Sequence, residues 1–144
     1  MPRTDHDADF HAWTIDQAAL LRAGRYAAAD MEHIAQEIES MGRCEKGELV
    51  SRLTLLLLHL LKWRHQPAGR CSSWETGIRI QRIQTEEHLA DNPSLRAKLD
   101  EAVASAYRVA VLEAAEETKL VIGTFPPACP FSFEQIMGEA FWPQ

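Results

Sequence analysis

The sequence predicts an all-α protein: a four-helix-bundle-like domain with a central leucine-rich helix and a short C-terminal helix. Apolar residues recur at helical spacing along the whole chain, and no strand-like alternation appears. The run LTLLLLHLLKW, Leu53 to Trp63, reads as a helix covered on most sides. Glycines, prolines and capping residues break the chain at intervals that suit helices. With 144 residues, the chain is expected to form one domain, 1–144, around one substantial core. A content of 46% apolar and 25% charged residues excludes an intrinsically disordered chain.

The first helix is expected to start at Asp7 or Asp9 as N-cap and to carry Phe10, Trp13, Gln17, Leu20 and Leu21 on one side. Gly24, suited to a left-handed residue, stops it. Asp30 then caps a second helix with Met31, Ile34, Ile38 and Met41 as its apolar face. Gly42 and Gly47 each cost about 1 kcal/mol relative to alanine in a helix, so Asp30 to His65 reads equally as one kinked helix or as two. Leu49, Leu53, Leu56, Leu60 and Trp63 follow the 4-3-4-3 spacing of a bundle interior. Pro67 and Gly69 end this segment.

Ser72 and Glu75 have capping-box spacing, followed by Trp74, Ile78 and Ile83 as inward positions. Asn92 and Pro93 open the next helix, expected to run to about Val121 before Gly123. Its face is Leu95, Leu99, Val103, Ala106 and Ala110, and its alanines imply close helix approach. FPPACP, Phe125 to Pro130, is extended because proline forbids helix continuation. Ser132 and Gln135 cap a last short helix. Phe141 and Trp142 then either dock as a lid or form an interface.

Between Arg52 and Lys62 lie nine residues, against the roughly 20 that span a bilayer, so the leucine run is a core helix and no membrane is expected. Cys44, Cys71 and Cys129 show no metal or redox spacing. Together with an N-terminus too polar for a secretory signal, they point to the cytoplasm. Net charge is −6, yet residues 43–82 carry +5 (Arg43, Lys46, Arg52, Lys62, Arg64, Arg70, Arg79 and Arg82 against three glutamates), leaving −11 elsewhere. Acidic flanking helices folding onto a basic middle explain this. The alternative is a basic face, Arg43 to Arg82, for nucleic acid, which sits poorly with a net acidic chain.

IAQEIESMGRCEKGELVSRL, LLLHLLKWRHQP, SWETGIRIQRIQ, DNPSLR and FPPACPFSFEQI with the closing FWP resemble a bacterial family of unknown function, number twenty-nine in the series of such domains. The resemblance runs from about Phe10 to Pro143. It implies an almost entirely helical, bundle-like domain, and no established activity or site residues. The chain departs from the family at His65, where an aromatic is expected before the Gln-Pro pair.

No GxSxG, phosphate loop or cofactor motif is present, which weighs against an enzyme and implies no cofactor. Cys71, just before a helix start, lacks an identifiable base. Metal or small-ligand binding has one candidate set: His33 and Glu37 at i,i+4 with His59, joined by Glu113 or Glu116 if the helices converge. The polar stretch Asp5 to His11 is assigned to capping and solubility. His59, among leucines, is expected to be buried and bonded to a carboxylate, Tyr26, Tyr107 or a carbonyl. At least one of Arg79 and Arg82 is expected to make an inter-helix pair, with Glu37 and Glu39 as the carboxylates that would fix register. The leading expectation is a non-catalytic helical domain acting through protein contacts, a homodimer among them. Trp63, Arg79, Arg82, Phe141 and Trp142 are its register or interaction residues.

Overall fold

The computed structural model describes residues 5–144. Among the described residues it is 77% helical, with no strand and five α-helices. They are α1 (Phe10–Arg22), α2 (Met31–His65), α3 (Ser72–Asp91), α4 (Leu99–Thr118) and α5 (Phe133–Met137). Contacts group the chain into two compact units, one ending at Cys44 and the other Glu45–Gln144. Among the described residues, no helix is long and apolar enough to cross a membrane.

In the first unit, the Asp9 side chain accepts from the Ala12 backbone N–H and opens α1. Gly24 closes it at φ +73°. The Gly24 N–H donates to Leu21 and the Arg25 N–H to Leu20, so two carbonyls orphaned at the helix end are satisfied by a left-handed turn that glycine adopts freely. Trp13 and Gln17 are the buried residues of α1.

α2 is one helix of 35 residues, about 52 Å long at 1.5 Å per residue, and it runs through both glycines unbroken. Their combined cost, about 2 kcal/mol, is too small to interrupt a helix whose second half supplies seven buried leucines to the core. In the second unit Leu49, Leu53, Leu56, Leu57, Leu60 and Leu61 are wholly buried, together with Ile78, Leu89, Ala102, Ala106, Ala110, Ala114 and Ile136. The four alanines recur at i,i+4, which makes one flat stripe of α4 that lets a neighbour approach closely.

Several boundaries differ from the sequence reading for identifiable reasons. Cys71 is the residue before α3, which moves Ser72 to the first helical position, and no side-chain cap forms. Glu75 pairs with Arg79 at 2.9 Å instead. A turn of 3-10 helix, Pro93–Lys98, precedes α4. α4 ends at Thr118, where Lys119 takes the left-handed conformation at φ 62° ahead of Gly123. The capping box at Ser132 and Gln135 is complete. Ile83, expected inward, is exposed.

Candidate functional site

Within the first unit, α1, the start of α2 and the segment before α1 bring together His6, Asp7, Asp30, His33 and Glu37. His6 has a carboxylate at each ring nitrogen: Nδ1 lies 2.8 Å from Asp7 Oδ1 and Nε2 lies 2.6 Å from Glu37 Oε1. Its ring stacks on His33, with centroids 4.4 Å apart and planes 6° from parallel. Phe10 and Trp13 meet the His6 ring edge-on.

His33 Nδ1 is 2.7 Å from Asp30 Oδ2, and the same oxygen accepts from the Trp13 indole N–H at 3.1 Å. The Asp30 backbone N–H donates to the buried Gln17 Oε1 at 2.7 Å. Trp13 and Gln17 thus position Asp30, which engages Nδ1 of His33. The hydrogen bonds to Glu37 and then Asp7 raise the His6 pKa above the usual histidine value, since both favour the protonated ring. The His33 hydrogen bond lowers the Asp30 pKa, aided by Trp13 and opposed by partial desolvation.

Of the residues expected to gather a ligand, His33 and Glu37 meet through His6. His59 belongs to the second unit, is half-buried, and has Nδ1 2.8 Å from the Leu55 carbonyl one turn earlier. Its Nε2 faces Gly77, where an added Cβ would stand 3.4 Å away. This is the backbone-carbonyl form of the structural role considered for it. Glu113 is exposed, and Glu116 pairs with Lys119 at 3.0 Å.

The register residues form a second cluster, in the second unit. Arg82 is only 4% exposed and donates to three main-chain carbonyls of the C-terminal segment: Nε to Ile136 at 2.8 Å, Nη2 to Phe141 at 2.8 Å and to Gln135 at 3.4 Å. Burial lowers its pKa. The expected inter-helix carboxylate partner is therefore replaced by backbone oxygens for Arg82 and by Glu75 of its own helix for Arg79. Trp142 packs on Trp63 at 4.8 Å, with the guanidinium groups of Arg79 and Arg82 each 5.4 Å from its ring. Phe141 meets Phe131 at 5.7 Å. Arg70 donates to the carbonyls of Trp63 and Pro143 and lies over the Trp63 ring. The aromatic tail is a docked lid. His65 makes a ring contact there, edge-on to Phe125 at 4.8 Å.

The basic middle segment is answered largely from within the second unit. Lys46 pairs with Glu101 and Lys62 with Glu117, both on α4, while Arg52 pairs with Glu48. Arg70 and Arg82 are spent on carbonyls. Acidic α4 folding against the basic stretch of α2 thus accounts for much of the segregated charge.

The face read as core on the first half of α2 points outward. Met31 is 46%, Ile38 63% and Met41 67% exposed, and Ile34 is half-buried. Sequence periodicity located this stripe and missed that, among the described residues, most of it is left exposed. His6 and Asp30 were also missed, because the polar stretch Asp5 to His11 and a helix-capping aspartate each have an ordinary explanation.

The fold defines an all-helical protein built around one long helix and a packed C-terminal tail. The family model described as domain of unknown function DUF29 matches residues 6–142, nearly the whole chain, and the chain belongs to that family. No curated protein and no solved structure matches it.

Proposed function

We propose that this chain is a non-catalytic bacterial domain of the cytoplasm that acts through protein contacts, and that it pairs with a second copy through the first half of α2. The observation that carries this reading is the row Met31, Ile34, Ile38 and Met41, exposed at all but the half-buried Ile34. These residues occupy alternating a and d heptad positions on an unbroken helix. The row is self-complementary. In an antiparallel pair Met31 lies opposite the partner's Met41 and Ile34 opposite the partner's Ile38, so one patch satisfies both copies about a two-fold axis.

The small size of the first unit supports the same reading. Its buried apolar residues are Trp13 and Ala29, while Phe10, Ile15, Tyr26, Met31, Ile38 and Met41 stay exposed. Units of about 40 residues ordinarily need oligomerisation, a metal or disulfides for stability. The three cysteines are unpaired.

Sedimentation velocity on the wild type and Ile38→Glu tests this reading. Ile38 is exposed within the chain, so the substitution changes the monomer's stability by no more than about 0.5 kcal/mol. A buried glutamate at the pair's centre disrupts it. The wild type should sediment as a dimer and Ile38→Glu as a folded monomer. Identical sedimentation of the two proteins would refute the assignment of the face.

A further inference from the structure

We infer that His6, Asp7 and His33 form a binding site for a divalent first-row transition-metal ion, with Asp30 and Glu37 positioning the two imidazoles. One donor atom from each of the three residues lies within 4.8 Å of the other two. Two imidazoles and one carboxylate suit zinc, iron(II), cobalt or manganese better than calcium or magnesium, which favour all-oxygen shells.

The surrounding contacts separate this cluster from a chance meeting of polar side chains. Metal-bound histidines characteristically give their second nitrogen to a carboxylate or carbonyl, which fixes the tautomer and the ring plane. Both imidazoles here have that partner. His33 gives Nδ1 to Asp30, and Asp30 is itself held by the Trp13 indole and, through its backbone, by the buried Gln17. This leaves His33 Nε2 as the donor to the ion. His6 gives Nε2 to Glu37, leaving Nδ1 beside Asp7 Oδ1 as the other two donors.

A tetrahedral ion with bonds of about 2.0–2.1 Å needs donors about 3.3 Å apart. Closure from separations of up to 4.8 Å asks the exposed Asp7 to move in and the two imidazoles, now stacked 6° from parallel, to rotate until their in-plane lone pairs converge. Three protein donors leave one position for water or a ligand from a partner. The ion would tie the segment before α1 to α2 and supply stability that the sparse core of the first unit lacks.

The test uses the full chain without an affinity tag, stripped of metal with a chelator. Cobalt(II) is titrated in and its visible absorption recorded, and zinc affinity is measured by competition with a chromophoric chelator. The expected result is one ion per chain with a cobalt spectrum typical of nitrogen and oxygen ligands in a low-coordinate site. His6→Ala and His33→Ala should each weaken zinc by more than tenfold. Asp30→Asn should weaken it by about 10–100-fold while leaving all three donors in place. His11→Ala, on the exposed side of α1, should leave affinity unchanged, and circular dichroism checks that each variant stays helical. If a histidine variant loses its helix, His6→Asn serves as the milder replacement. Absence of a cobalt spectrum in the wild type, or equal zinc affinity in the wild type and the histidine variants, overturns the site.

Discussion

Replacing Arg82 should cost more than any other single polar substitution in the second unit. Its guanidinium is 4% exposed and holds the C-terminal segment by two hydrogen bonds of 2.8 Å and one of 3.4 Å. A short bond from a charged donor contributes about 1.5–3 kcal/mol, so the two short ones contribute about 3–6 kcal/mol, and the long one adds little. Arg82→Met keeps the apolar stem and removes the charge, recovering part of the several kcal/mol spent on desolvating it. It also leaves the Ile136 and Phe141 carbonyls without their donor, at about 1–3 kcal/mol each where water cannot reach them. The balance is a loss of about 3 kcal/mol, or about 14 °C in melting temperature for a cooperative unit the size of Glu45–Gln144. Thermal and urea unfolding followed by circular dichroism measure this directly. Tryptophan fluorescence should change in parallel, because Trp142 rests on Trp63 beside Arg82. Arg79→Met is the matched control, since its exposed pair with Glu75 contributes only about 0.3–0.5 kcal/mol. A melting temperature for Arg82→Met within about 2 °C of the wild type would refute the claim that this guanidinium anchors the tail.

Gly42→Ala and Gly47→Ala should each stabilise by up to about 1 kcal/mol in urea unfolding, because beyond the adjoining turns of the helix no described atom lies within 4 Å of either added Cβ. Gly69→Ala should destabilise, since its Cβ would stand 2.6 Å from Trp74 Cη2. Burial, reinforced by the charge of Arg64, lowers the His65 pKa below its ordinary 6.5. A depressed histidine contributes stability that is fully present above 6.5 and is lost as pH falls toward the folded-state value. Wild type should therefore lose more stability than His65→Phe between about pH 7.5 and 5.5, and parallel losses in urea titrations would exclude this. Burial also pushes the Cys129 thiol up, so iodoacetamide near neutral pH should modify it more slowly than the exposed Cys44 and Cys71.

The parts of the fold that were legible in the sequence rest on local chemistry. Gly24 terminates α1 because a left-handed residue is needed there, and Ser132 opens α5 because its hydroxyl reaches the Gln135 N–H. The leucine spacing located the core half of α2. What was not legible depends on separation along the chain or on groups every residue carries. The contact between His6 and Glu37 joins residues 31 positions apart, and no one-dimensional pattern marks it. Arg82 was expected to seek a carboxylate and found carbonyls, which leave no trace in a sequence. Ser72 and Glu75 have the spacing of a capping box, but a start one residue earlier for α3 removed the geometry. Met31, Ile38 and Met41 show how periodicity identifies a face without revealing what covers it. His59 was placed in the right element and is less buried than its leucine neighbours suggest.

Pairing through α2 is the central functional claim, and the mass of the protein in solution tests it most directly. Light scattering on the purified wild-type chain across a dilution series should give twice the 16.3 kDa chain mass at high concentration and fall toward a single chain on dilution. A mass of 16.3 kDa at every concentration would contradict it.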